Sequence, residues 1–177
     1  MRDKVVISLS TKLGLDDRAR AYVRELLRLG FNVKVSVSFT TKYRLDELEP
    51  STLSYQDRLT ALADFAQASL PTSVVMKPLL PFIDLNEYCE IVDDTIALTK
   101  LYMIGDLYVN ENDAFYRDYI QNRYPTVPKR VGWLPDQPVW LTVADERRKS
   151  ALSDYITAKG GACFSDDRSL VNRLFQR

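Results

Sequence analysis

The stretch VKVSVSFTTKYRLDELEP, Val33 to Pro50, decides the fold. It begins as a strand and ends as a charged loop closed by Glu49-Pro50. By the two-residue period of an extended chain, Val33, Val35, Val37 and Phe39 share one face, and Lys34, Ser36 and Ser38 share the other. The valine face is a core face. The serine face is polar where a strand covered on both sides usually carries apolar residues, so something polar has to lie against it.

Outward from this stretch, strands and helices alternate. KVVISLS (4–10) is apolar and β-branched and reads as a first strand. DDRARAYVRELLRLG (16–30) reads as a helix capped by Asp16 or Asp17, with Tyr22, Leu26 and Leu29 on its inner face and Gly30 as its stop. STLSYQDRLTALADFAQASL (51–70) is a second helix, with Ser51 or Ser54 as cap and a stripe of Leu59, Leu62, Ala63 and Ala66. A third strand, TSVVMKPLLPFI, is ended by prolines. A helix LNEYCEIVDDTIAL, a fourth strand KLYMIGDLYV and a fourth helix NENDAFYRDYIQNRY follow. After the proline-rich break from Pro125 to Pro138 come a strand VWLTVAD, a helix ERRKSALSDYITAKG, a strand GACFSD and a last helix DRSLVNRLFQ. The fold class is α/β: about four βα units of a partial parallel barrel over residues 1–124, with a small βαβα extension over 125–177 packed on it. The sequence motif alone leaves an open wound sheet as the alternative to a barrel.

Bulk properties narrow the function. At 177 residues with 46% apolar and 27% charged residues, the chain is one soluble domain with a core. Its 24 basic and 24 acidic residues cancel, so global charge gives no reason to expect nucleic acid, although a local basic patch stays open. No apolar run reaches the roughly 20 residues of a spanning helix, and MRDKVVISLS lacks the core of a signal peptide; no membrane and a cytoplasmic location are the expectation. There is no histidine, which removes the commonest general base and metal ligand. Cys89 and Cys163 follow no metal spacing and read as free thiols. No glycine-rich phosphate loop is present, and Gly160-Gly161 reads as a helix stop.

In parallel βα folds ligands sit at the carboxyl ends of the strands. Those ends carry Ser8, Ser10 and Lys12 on one face of the first strand, Ser36 and Ser38 on one face of the second, Lys77-Pro78 after the third, and Gly105, Asp106, Tyr108 and Asn110 after the fourth. Small hydroxyl side chains leave volume and exchange hydrogen bonds, and an ammonium at the rim fixes an anion. The set suits a polar small molecule bearing a carboxylate or phosphate. Each of these residues also has a plain structural use, as a satisfied strand serine or a solvated lysine. Trp133 and Trp140 read as loop packing, with a stacking surface for a base as the sharper alternative.

The order of short elements adds a resemblance. Thr11-Lys12 closing one strand, Ser36-Val37-Ser38 in the next, Glu49-Pro50, then Arg58-Leu59 in a helix and Pro78-Leu79-Leu80-Pro81 in a strand resemble the radical S-adenosylmethionine superfamily, in its spore photoproduct lyase-like branch, over about residues 4–110. The resemblance implies the later four strands of a six-stranded partial barrel. It places Lys12 and Ser36 against the methionine part of S-adenosylmethionine, with Ser10 and Ser38 beside them and Pro78 and Tyr108 bordering the adenine. The family's CxxxCxxC motif, which holds a 4Fe-4S cluster, is absent, as is its glycine-rich segment; a cluster could come only from another chain. The implied function is thus one half of a split radical enzyme that is not catalytic alone. The alternatives are an inactive binding or assembly module, or an unrelated small-molecule enzyme using Lys12 or Lys77. Glu49 and Arg58 are read as a tie between the long loop and the next helix. The first strand, with no proline or inward charge at its centre, is expected to have an open edge that recruits a cluster-bearing chain or a second copy, unless VWLTVA folds back to cover it.

Overall fold

In a computed structural model, residues 5–14, 16–132, 135–136 and 138–175 are described; Trp133 lies outside them. Five strands form one parallel sheet: β1 (Val6–Thr11), β2 (Asn32–Ser38), β3 (Thr72–Met76), β4 (Leu101–Ile104) and, at the far edge, β8 (Ala162–Phe164). Their order is β1-β2-β3-β4-β8. A second, antiparallel sheet of β5 (Leu107–Val109), β7 (Val139–Val143) and β6 (Val127–Arg130) has the order β5-β7-β6.

Helices α1 (Asp17–Arg28), α3 (Tyr55–Gln67), α4 (Leu85–Thr95) and α5 (Glu146–Ala158) connect the strands; α2 (Leu45–Leu48) is a single turn in the loop after β2. Side-chain oxygens start the connecting helices as the sequence predicts. Asp16 accepts from the Ala19 amide at 2.7 Å, and Ser54 from the Asp57 amide at 3.2 Å. The core is one cluster between the valine face of the sheet and these helices: Val35 and Val37 of β2, Phe39 just after it, Val74 and Met76 of β3, and Tyr102 and Ile104 of β4 meet Leu62, Phe65, Ile91, Leu152 and Ile156. Sequential strand order with the connecting helices on one face is the pattern of a barrel segment; a doubly wound sheet covers both faces.

The other face is the polar one. The register pairs Ser10 with Ser36 and Ser36 with Ser73, so these side chains lie side by side across three strands. α6 (Asp167–Phe175) turns back after β8, and its first residue reaches this face through Lys34.

Three expectations need correction. KLYMIGDLYV is two strands in different sheets: the chain leaves the parallel sheet at Gly105-Asp106, and Leu107–Val109 pairs with β7. The predicted fourth helix is short: residues 114–115 are α-helical and run into a π-helical turn, Tyr116–Ile120, in which no capping side chain supports the start and only Ile120 is buried. The inner face of α1 carries Val23, 4% exposed, whereas Tyr22 and Leu29 are 58% and 57% exposed. Of the stripe read from spacing only Leu26 is half-buried. The alternative in which VWLTV covers the first strand is not taken: it pairs with β5 and β6. Among the described residues β1 has one strand neighbour, β2, and its outer edge is open.

Candidate functional site

Three polar groupings stand out, two at the carboxyl ends of the parallel strands and one on the polar face in the middle of the sheet. The first is built on β1, β2 and the loop that follows. Lys12 Nζ lies 2.7 Å from Glu49 Oε1, and Arg58 Nη2 lies 2.6 Å from Glu49 Oε2. Thr40 Oγ1 also donates to Glu49. Arg58 is fully buried and uses its remaining donors on the Ser38 carbonyl at 2.8 Å, the Leu53 carbonyl at 3.1 Å and Thr52 Oγ1 at 2.7 Å. Burial pushes the Glu49 carboxyl up, but the hydrogen bonds from Lys12, Thr40 and Arg58 prevail and its pKa is lowered. The tie between the loop and α3 is therefore present, and it also takes in Lys12.

The second grouping answers what the serines of β2 face. Lys34 Nζ donates to Ser36 Oγ at 2.7 Å and lies 2.8 Å from Asp167 Oδ1 of α6. Ser36 Oγ and Ser73 Oγ share a hydrogen bond at 2.8 Å. Lys34, Ser36 and Ser73 are all buried, at 0%, 1% and 0% exposure. Ser38 is buried near them, while Ser10 is exposed.

The third lies where β3, β4 and β8 end. A cavity of about 560 Å³ is lined by Lys77, Asp106, Tyr108, Lys129, Lys149 and Ser153, among others. Lys149 Nζ bridges Asp106 Oδ1 and Glu146 Oε1, both at 2.7 Å. Lys129 sits 5.2 Å from the centre of the Tyr108 ring. Lys77 lies flat across Gly105 and donates to the Ser165 carbonyl at 3.0 Å; a Cβ on Gly105 would come within 2.7 Å of the Lys77 side chain. Pro78 borders the same region with Lys77, Asp106 and Tyr108.

The residues singled out from sequence thus divide. Lys12 is in the first grouping and Ser36 in the second, each already engaged by a protein partner; Pro78 and Tyr108 adjoin the third. Lys34 and Ser73 were missed as site residues. Lys34 was legible as a neighbour of Ser36 by strand period, but its burial and its partner on the last helix were not. Lys129 and Lys149 were missed because β6 and α5 reach the site only through the tertiary fold. The residues present do not fit an iron–sulfur cluster: the two cysteines are the chain's only thiols, and no group of three metal-ligating side chains occurs among the described residues. Among those residues no helix is long and apolar enough to cross a membrane.

No protein-family model matches the chain, and no curated protein matches it. Solved structures do. A cysteine-to-alanine mutant of spore photoproduct lyase with dinucleoside spore photoproduct aligns with a TM-score of 0.58 at 15% identity, covering 96% of this chain and 48% of that one. A tyrosine-to-phenylalanine mutant of the lyase aligns with a TM-score of 0.56, also at 15% identity, over 90% of this chain and 51% of that one. A double mutant with bound AdoMet and dinucleoside spore photoproduct aligns with a TM-score of 0.52 at 14% identity, over 96% and 48%. The chain spans about half the length of the lyase structures it matches, and over that length it has a partial radical S-adenosylmethionine-type fold.

Proposed function

We propose that this chain is one half of a split radical S-adenosylmethionine enzyme in the cytoplasm, completed by a second chain that carries the 4Fe-4S cluster. The observation that carries the reading is the open outer edge of β1 on a fold that matches about half of spore photoproduct lyase. Exposed apolar side chains accompany that edge. Val5, Leu13, Tyr22, Leu27 and Leu29 are each more than two-fifths exposed and all belong to the first βα unit and its flanks. In the completed barrel, Lys12, Ser36, Ser38 and Ser10 would line the S-adenosylmethionine site, with Pro78 and Tyr108 at its adenine end. The chain supplies binding surface, and the cluster that cleaves the sulfonium comes from the partner.

A second reading is an inactive assembly module derived from the same fold. It is favoured by the pairing of Lys12 with Glu49 and of Lys34 with Asp167, which leaves both ammonium groups neutralised from within the chain.

Anaerobic affinity purification from the native host, with iron and sulfide assays on the chain alone and on whatever accompanies it, separates the two. The split-enzyme reading expects an accompanying chain with a CxxxCxxC motif, a cluster in the complex and none on the isolated chain. A chain that emerges as a lone monomer overturns it.

A further inference from the structure

The cavity where β3, β4 and β8 end lies on the helix side of the sheet. The register pairs Tyr102 with Cys163, and Tyr102 and Ile104 belong to the core that the helices cover. Ile104 and Cys163 line the cavity together with Ser150, Ser153 and Asp154 of α5. Ser36 and Ser73 alternate with the core residues Val35, Val37 and Val74, so they point to the opposite face. Of the residues assigned above to S-adenosylmethionine, only Tyr108 reaches this cavity. Its charges are unevenly matched. Lys149 takes up both Asp106 and Glu146. Lys77 has a carbonyl for a partner and Lys129 the ring of Tyr108; among the described residues neither ammonium has a carboxylate at ion-pairing distance. Asp154 has no hydrogen bond or ion pair among them either. Lys77 is held in place, because its stem lies over Gly105 with no room for a Cβ between them.

We propose that this cavity is a binding site for a small sugar phosphate, separate from the polar face and built entirely from this chain. Lys77 and Lys129 take the phosphate. A lysine serves phosphate as a point charge, and two of them balance a phosphate monoester, which carries about two negative charges at neutral pH. Asp154 and Ser150 take the sugar. They stand four residues apart on α5 and so share one face of it. An ionised carboxylate only accepts, and a serine hydroxyl both donates and accepts, which suits a ligand rich in hydroxyls. The volume of about 560 Å³ is that of a small-molecule site. A dicarboxylate would set its second charge against Asp154, and a neutral sugar would leave both ammonium groups unmatched.

The test titrates the whole chain by calorimetry with ribose 5-phosphate, inorganic phosphate, ribose and succinate. Ribose 5-phosphate is expected to bind, and to bind more tightly than the other three. Lys77→Met and Lys129→Met, both at exposed positions, are each expected to weaken it roughly tenfold to a hundredfold with the thermal midpoint unchanged. Asp154→Asn is expected to weaken ribose 5-phosphate and to spare inorganic phosphate. No binding of either phosphate to the wild type would overturn the site. Binding that survives in the double variant Lys77→Met, Lys129→Met would place the anion elsewhere and overturn it too. Succinate binding more tightly than ribose 5-phosphate, or an Asp154→Asn protein that loses both phosphates equally, would overturn the ligand class. None of these measurements needs a second chain, so this site and the split-enzyme reading fail separately.

Discussion

At the scale of single residues, the Glu49–Arg58 pair shows how a buried charge is made tolerable here. Glu49 is 9% exposed and Arg58 fully buried, so each would be costly alone. Together with Lys12, Thr40, Thr52 and two carbonyls they satisfy one another. Glu49→Gln keeps the shape but leaves Arg58 without its counter-charge, and is expected to cost about 3 kcal/mol at neutral pH. The pH dependence has a definite sign. The Glu49 pKa is depressed below its ordinary 4.5 in the folded chain, so its contribution is complete above that value. It is lost as pH falls through the lower, folded-state pKa. Urea unfolding of wild type and Glu49→Gln at pH 7 and in steps below pH ~4.5 should show a stability gap that closes toward acid. A gap independent of pH would mean that the substituted amide perturbs packing and that the charge is not what matters.

At the scale of elements, β1 is informative because its hydrogen-bonding groups divide cleanly. The Asn32 amide donates to the Val5 carbonyl, and Val6 pairs with Asn32, Ser8 with Lys34 and Ser10 with Ser36. In a parallel ladder this turns the groups of Ile7 and Leu9 toward β2, and those of Val6, Ser8 and Ser10 toward the open edge. Ser8→Pro therefore removes only an outward donor, a position where an edge strand accepts proline. Leu9→Pro removes a ladder bond and a side chain packed against the core. The expectation is that Ser8→Pro leaves the thermal midpoint within a few degrees of wild type but abolishes association at the edge, whereas Leu9→Pro destabilises the chain itself. Co-purification and thermal unfolding of both variants check this. Elements of this kind were legible in the sequence because their signal is local. Val33 to Phe39 alternate, Asp16 and Ser54 cap the helices that follow them, and each of these features survives in the fold. What escaped was set by distant partners. KLYMIGDLYV is largely apolar, and it is the pairing of Leu107–Val109 with β7 that divides it after Ile104. VPKR became β6 because β7 was there to receive it. The polar face of β2 was readable to the last serine, yet its contact with Asp167 spans most of the chain and no spacing rule encodes it.

At the scale of the whole molecule, the two ends of the parallel sheet are unequal. At β8 the strand is short, three residues, and α5 and α6 flank it. At β1 six residues pair on one side only, and the same βα unit carries exposed apolar residues. A long, apolar, unprotected edge is a template for another strand, and stable monomers usually blunt such edges. An added parallel strand from a cluster-bearing half would extend the sheet in the sense of its other four pairings, all parallel. A homodimer about a two-fold axis would instead set the two β1 strands antiparallel, because the symmetry reverses one relative to the other. Hydrogen exchange reads the difference from a monomer directly. In the free chain the amides of Ile7 and Leu9 should exchange slowly and those of Val6, Ser8 and Ser10 fast. In a complex with a completing chain all five should be slow. Sedimentation at micromolar concentration then tells a second copy from a second chain. Slow exchange at Val6, Ser8 and Ser10 in a species that sediments as a monomer would mean that the chain covers its own edge, and the case for a completing partner would fall with it.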